Sequence, residues 1–229
     1  MTKRLLSFTR VRHAVNMSAT TGAPLSEQSI LATLEDSGDT AGATAVRLMM
    51  AAADAFADKG FHATTTRDIA SRAGLSPAGV YVHFTSKEDL LFELSRRGHR
   101  TARDQLVAAA SAADSPTDAL RSIIGGFSKW HAEHHQLGRI VQYEFRHLTP
   151  EHRETVLSLR REIDKVVRGV LSDGVTSGEF EVDDIPSTAL ALLSMAVDVA
   201  RWYSPEIRRT PDDIARTNGD LAVRLVARR

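Results

Sequence analysis

The residues with the clearest chemical potential lie in the short segment Thr65–Phe84. Hydroxyl, guanidinium and imidazole groups recur there among small residues, and such groups hydrogen-bond phosphates and the edges of bases. Gly74 stands between two short apolar-periodic stretches, at a point where a reversing chain favours positive φ. Two short helices joined by a turn that contains glycine form a helix-turn-helix pattern, which is typical of DNA-binding proteins.

The second of these two helices is predicted to begin at Ser76-Pro77, because proline is favoured in the first turn of a helix. Val80 and Phe84 would pack against the preceding helix. The remaining positions are small or polar, so this helix could sink into the major groove, which admits one helix in width. The predicted outward positions are Ser76, Ala78, Gly79, Tyr81 and His83.

Three histidines form a second candidate site. His131, His134 and His135 lie at positions i, i+3 and i+4 of one predicted helix, and two histidines one turn apart can share a metal ion. The HExxH pattern is absent and the chain contains no cysteine. We therefore expect a solvated face or a dimer edge here, with neither metal nor cofactor, and keep a metal-responsive regulator as an alternative.

Composition excludes several other classes. The chain has 229 residues, and its 29 basic side chains balance its 29 acidic ones, so net charge indicates no partner. A glycine-rich phosphate loop, a nucleophile elbow and paired catalytic carboxylates are all absent, so no enzyme is expected. The most apolar stretch, Ala189–Val197, is shorter than the roughly 20 residues that span a membrane. These features predict a cytoplasmic protein without a membrane partner.

The elements that would position these residues are all predicted to be helices, because apolar residues recur at helical spacing and no alternating β pattern is found. Residues 1–44 are predicted to be a flexible extension with a short helix around Ser26–Leu34. Residues 45–91 are predicted to form a three-helix helix-turn-helix DNA-binding domain. Residues 92–229 are predicted to form a larger helical domain for ligand binding and dimerisation.

The run TTTRDIASRAGLSPAGVYVHFTSKEDLL, Thr64–Leu91, resembles the TetR family of bacterial regulators. An Ile-Ala pair, Ala-Gly-hydrophobic-Ser, Tyr-x-His-Phe and Lys-Glu-x-Leu make up the family pattern, and every one of these elements is present. The resemblance implies a homodimer on double-stranded operator DNA. It implies that residues near the start of the second helix contact the DNA backbone or a groove edge. Residues on the third helix would contact bases, and residues around the end of the third helix would contact phosphates. The implied DNA-binding residues are Thr65, Thr66, Arg67, Ser76, Ala78, Gly79, Tyr81, His83 and Lys87.

The predicted helix Ser187–Tyr203 is apolar nearly all round, so it must be covered on both sides. One side can be covered by the same chain. The resemblance supplies the other cover, an interface built by the last two helices of each subunit. The predicted interface residues are Leu192, Met195, Val199, Trp202, Leu221 and Leu225.

An effector pocket is expected among the fourth to eighth helices, with apolar walls and a few polar anchors. The C-terminal half resembles regulators of lipid and steroid catabolism, which implies a repressor that an acyl-CoA thioester releases from its operator. The alternative is a regulator of efflux or of another pathway with an unrelated hydrophobic ligand. The predicted ligand-binding residues are Phe92, Ile123, Phe127, Trp130, Tyr143, Arg146 and Met195.

Overall fold

The computed structural model describes residues 42–228, and helices dominate this range, which confirms the all-α prediction. An isolated antiparallel bridge joins Phe180 to Ala227. None of the helices in this range is long and apolar enough to span a membrane. In chain order the helices are α1 Ala43–Ala63, α2 Thr66–Arg72, α3 Pro77–Tyr81, α4 Lys87–Ser111, α5 Pro116–Glu133, α6 His135–Tyr143, α7 Pro150–Ser177, α8 Ile185–Val197, α9 Val199–Trp202 and α10 Pro211–Val226, with a 3₁₀ turn Phe145–His147 between α6 and α7.

The predicted N-terminal extension falls almost entirely outside the described residues, and so does its short helix around Ser26–Leu34. The first helix begins at Ala43, two residues earlier than predicted. It is interrupted at Gly60, whose φ of 75° is non-helical. Gly60 therefore marks a kink, after which the helix adds about one further turn.

Local capping explains where most of the helices begin. Seven of those in the described range start after a Ser, Thr or Asp whose side chain accepts a hydrogen bond from a backbone N–H of the first turn, which satisfies an otherwise unpaired donor. Five of these seven also have proline at the start of the helix. The capping residues are Thr65, Ser76, Ser86, Ser115, Thr149, Asp184 and Thr210.

Two main clusters of buried apolar side chains hold the helices together. The first cluster is built from α1, α2, α3, the start of α4, the end of α5, α6 and the start of α7, and it contains Ile69, Val80, Trp130 and Val141. The second lies among the C-terminal part of α4, α5, α7, α8 and α10. The first core therefore continues past the predicted domain boundary at residue 91, and the helix-turn-helix packs directly on the helices that follow.

Helices α5 and α10 approach each other unusually closely, because glycine lies at two of their contacts. A Cβ atom at Gly125 would lie 2.8 Å from the Ala215 carbonyl oxygen, and one at Gly219 would lie 2.7 Å from that of Arg121. One face of α10 is thus fixed against its own chain, and the opposite face is left for other contacts.

Candidate DNA-binding surface and effector cleft

The turn between α2 and α3 has the predicted helix-turn-helix geometry. Gly74 adopts φ 66°, the left-handed region that favours glycine. The Ser76 hydroxyl caps α3 by accepting the backbone N–H of Gly79 at 3.1 Å. Ile69 on α2 and Val80 on α3 are both fully buried, so the two short helices are held at a fixed angle.

The outer face of α3 presents small residues and hydrogen-bonding side chains to solvent. Ala78 and His83 are exposed, and Tyr81 is 57% exposed. A Cβ atom at Gly79 would make only ordinary contacts, 3.5 Å or longer, so packing does not demand glycine there. Its small size is therefore available to a surface that approaches from outside. Sequence reasoning missed Val82, which is 79% exposed beside Tyr81.

The start of α2 offers Arg67, which is exposed and makes no ion pair within residues 42–228. Thr66 beside it is half-buried. The hydroxyl of Thr65 is already engaged, because it donates to the Asp68 carboxylate at 2.7 Å and accepts the Asp68 backbone N–H at 3.1 Å. Thr65 is thus a helix cap, and Arg67 is the better candidate for a DNA contact.

The structure gives no support to the predicted phosphate contact of Lys87. Its ammonium group donates to the carbonyl oxygens of Phe61 at 2.7 Å, His62 at 3.2 Å and Thr64 at 2.8 Å. It also lies 4.5 Å from the centroid of the Phe61 ring. All three donors of the ammonium group are therefore used to close the C-terminal end of α1.

Replacing Lys87 with methionine should destabilise the protein by about 2 kcal/mol, because carbonyl groups lose charge-assisted hydrogen bonds. Urea unfolding measures this change. The dependence of DNA affinity on salt should keep its slope, whereas loss of a phosphate contact would reduce that slope by about one. Unchanged stability together with a reduced slope would restore the phosphate role.

Aromatic and carboxylate contacts connect the end of α1 to the helices behind it. The Glu144 carboxylate accepts the Phe61 backbone N–H at 3.3 Å. The His147 ring stacks on the Phe61 ring at 5.0 Å and meets the His62 ring edge-on at 4.1 Å. A shift of the 3₁₀ turn would therefore be transmitted to the helix-turn-helix.

A second connection joins the start of α4 to the start of α7. The Glu88 carboxylate lies 2.9 Å from His152 Nδ1 and accepts the Thr149 backbone N–H at 2.8 Å. Phe92 stacks on the His152 ring at 3.8 Å. The structure therefore gives no support to the prediction that Phe92 binds ligand, because its ring is used in this contact between helices.

A cleft of about 1120 Å³ lies among α4 to α9. Four of the predicted ligand residues line it, namely Phe127, Trp130, Tyr143 and Met195. Two more do not. Ile123 is 1% exposed inside the second core, and Arg146 lies on the 3₁₀ turn with its Nε 3.2 Å from His147 Nε2.

The cleft is more basic than the predicted anchor Arg146 alone would indicate. Arginines from α6, α7 and α9 line it, and most are engaged within the protein. Those at 161, 168 and 201 pair with carboxylates at distances of 2.5 to 2.7 Å. Arg139 donates to the carbonyl oxygens of Ala200 and Tyr203 at 2.7 and 2.9 Å. The run LRREIDKVVR on α7 was the available signal, but its spacing alone does not tell which arginines face inward.

The three clustered histidines do not converge on a common ion. The Nδ1 atoms of His131, His134 and His135 each lie 2.9 to 3.0 Å from a backbone carbonyl oxygen three or four residues earlier in the chain. Across residues 42–228, the one group of three potential ligands combines Glu88, Asp89 and His152. Geometry thus gives no support to the metal-responsive alternative. His131 is buried, and this burial lowers the pKa of its ring to about 4.

Exposed apolar side chains mark a candidate dimer surface on the last helices. Leu221 and Leu225 on α10 are exposed, as are Trp202 on α9 and Leu190 on α8. Leu192 and Val199 are buried within their own chain, so the exposed surface does not include these two predicted interface residues. The predicted helix Ser187–Tyr203 is also interrupted, with Asp198 between α8 and α9.

Comparison with known proteins agrees with this architecture. Residues 48–94 match the family model "Bacterial regulatory proteins, tetR family", and residues 113–226 match "Tetracyclin repressor-like, C-terminal domain". The chain is 34% identical over 187 residues to the HTH-type transcriptional repressor KstR2 of Rhodococcus jostii, which covers 78% of this chain and 89% of the relative.

Solved structures show the same fold. A bacterial regulatory protein in the tetR family from Rhodococcus RHA1 superposes with a TM-score of 0.78 and 37% identity, over 82% of this chain and 98% of that one. AibR, solved in complex with isovaleryl coenzyme A and operator DNA, superposes with a TM-score of 0.71 over 78% of this chain and 97% of its own. Its 22% identity supports a likeness of fold alone.

Proposed function

Because the chain belongs to the TetR family of bacterial regulatory proteins, we propose that it is a dimeric repressor that an acyl-CoA thioester releases from its operator. The observation that carries this proposal is the continuity of the first core. Trp130 and Val141 line the cleft and also belong to the cluster that holds Ile69 and Val80 of the helix-turn-helix. An effector that displaces these side chains would therefore move α2 and α3.

The proposed DNA-binding surface consists of α3 and the start of α2. Ala78 and Gly79 would let α3 approach the bases, Arg67 would reach a groove edge, and Tyr81 and His83 would contact phosphates. Few of these side chains make bidentate base contacts, so recognition would also depend on the shape of the DNA. Operator DNA as the partner makes the cytoplasm the proposed location.

The proposed dimer brings together the exposed faces of α8, α9 and α10 from two chains. A two-fold axis there would present two copies of α3 to successive major grooves, about 34–36 Å apart. Leu221 and Leu225 would become buried in this interface, which accounts for apolar residues that the single chain leaves exposed.

The cleft supports a ligand that has an apolar body and anionic groups. Phe127, Trp130 and Met195 supply apolar wall, and arginines supply positive charge. An acyl-CoA combines an acyl chain with phosphates, and AibR, which has this fold, is described with such a ligand and operator DNA. A hydrophobic effector of another pathway remains the competing candidate.

Fluorescence anisotropy on the intergenic DNA beside the gene tests this proposal. The wild-type chain should bind a near-palindromic fragment of that DNA, and a panel of acyl-CoA thioesters should include one that releases it at micromolar concentration. Free coenzyme A at the same concentration is the control and should not release the DNA. Release by uncharged hydrophobic compounds alone would favour the competing candidate, and failure to bind the DNA would contradict the proposal.

A further inference from the structure

Arg160 differs from the other arginines of the cleft. Its Nε donates to His99 Nε2 at 3.1 Å, and its guanidinium carbon lies 4.4 Å from the centroid of the Phe145 ring. In the described part of the chain it has no carboxylate within ion-pair distance, and its two Nη groups have no hydrogen-bond partner. Burial lowers its pKa. A partly buried cation without a counter-ion is costly, so the arrangement favours the arrival of an anion.

His99 fixes the orientation of Arg160. Its Nδ1 lies 2.7 Å from the Ser95 carbonyl oxygen, so Nδ1 carries the proton and Nε2 is free to accept. Burial, followed by the charge of Arg160, lowers the pKa of His99 to about 4, so its ring is neutral at neutral pH. Because the neutral His99 ring accepts a hydrogen bond from Nε of Arg160 only, the edge of the guanidinium group that carries the two Nη groups remains available.

The acidic groups of the cleft do not compete for this edge. Asp164 pairs with Arg168 at 2.7 Å, and Asp198 pairs with Arg201 at 2.7 Å. Arg160 and His99 line the same cleft as the apolar side chains of Phe127 and Trp130. An incoming oxyanion would thus meet, at Arg160, a guanidinium group with neither a carboxylate partner nor a hydrogen bond at its two Nη groups, beside an apolar wall.

We infer that Arg160, oriented by His99, forms an oxyanion subsite in the wall of the cleft, so the effector carries a carboxylate or a phosphate next to an apolar body. The inference rests on the proposed role of this cleft as the effector site. A guanidinium group matches either oxyanion with two parallel hydrogen bonds. The phosphates of coenzyme A and the carboxylate of a free acid are the two sources.

Isothermal titration calorimetry on the full chain tests the subsite with dodecanoyl-CoA, dodecanoate and dodecan-1-ol, each below its critical micelle concentration. The wild type should bind one of the anionic probes at least about tenfold more tightly than the alcohol. Arg160→Met should weaken binding of that probe by about 10- to 100-fold and leave the alcohol unchanged. The anionic probe that loses affinity identifies the source of the oxyanion.

Arg103→Met is the matched control, because Arg103 does not line the cleft and its guanidinium group pairs with Asp104 and Glu162. It should leave all affinities within about twofold. Arg160→Lys keeps the charge but loses the planar fork, so an intermediate loss is expected. If Arg160→Met does not fold, judged by its melting temperature and by operator binding, the lysine variant decides.

Equal binding of the three probes by the wild type, no binding of any of them, or unchanged affinity in the Arg160 variants would overturn the subsite. Operator release by dodecanoyl-CoA is measured on the same samples. Release from the wild type together with unaltered binding in Arg160→Met would reject the subsite and keep the proposed function. Loss of anion binding in Arg160→Met, without operator release from the wild type, would keep the subsite and reject the proposed function.

Discussion

Ala78→Asp is expected to lower operator affinity by at least about 100-fold, because a carboxylate on the outer face of α3 would meet the negative charge of the DNA. Ala78 is exposed and lies in the first turn of α3. An acidic residue near a helix N-terminus is favourable, so the melting temperature should stay within about 2 °C of the wild type. Fluorescence anisotropy and thermal unfolding measure the two quantities.

The matched control introduces the same charge far from α3. Ala108 is exposed near the C-terminal end of α4, about 30 Å along that helix from its first residue. Ala108→Asp should therefore bind the operator within about twofold of the wild type, because exposed charges farther apart than a Debye length are screened. Wild-type affinity in Ala78→Asp would show that α3 does not enter the groove.

Leu225→Asp is expected to make the protein monomeric and to reduce operator affinity by at least about 100-fold, since a monomer engages one half-site instead of two. The Leu225 side chain is 62% exposed in the single chain, so folding of the monomer should survive the change. In the proposed dimer, a carboxylate at this position would be buried without a partner. Analytical ultracentrifugation measures the association state.

Val107→Asp is the control for this change, because Val107 is an exposed apolar residue on α4, away from the last helices. It should remain dimeric and should bind DNA normally. A dimeric Leu225→Asp protein with full operator affinity would place the interface on another surface.

The parts of the molecule that follow from local chemistry were predictable. Gly74 predicts a reversal of the chain, and Ser76-Pro77 predicts the start of a helix. Both predictions depend only on local backbone chemistry and not on distant contacts. Both features appear as expected, with φ 66° at the glycine and a capped α3. The periodicity of apolar residues could divide the larger C-terminal domain into helices but could not predict how these helices pack. The resemblance to the TetR family supplied that arrangement.

Sequence reasoning was least informative where a side chain meets distant parts of the chain. Lys87 binds carbonyl groups more than twenty residues upstream, and no local pattern reveals that partner. Leu192 and Val199 lie on a stretch that is apolar all round, so periodicity cannot tell the side covered by the same chain from the side left for a second copy.

The cleft was only partly predictable for the same reason. Aromatic residues such as Trp130 are natural candidates for its wall, but Phe92 has the same character and packs on His152 instead. The charged groups of the cleft were harder to predict than its apolar wall. The role proposed for Arg160 depends on the absence of a carboxylate beside it within residues 42–228, which is a property of the folded neighbourhood and not of the sequence spacing.

If the cleft and the helix-turn-helix are energetically coupled, acyl-CoA and operator DNA must affect each other's binding reciprocally. Calorimetry should give the dissociation constant of the active acyl-CoA with and without saturating operator DNA. Thermodynamic linkage requires the operator to weaken acyl-CoA binding by the same factor by which acyl-CoA weakens operator binding. We expect equal factors of about 10- to 100-fold, corresponding to 1–3 kcal/mol of coupling. An acyl-CoA affinity that the operator leaves unchanged would contradict the account.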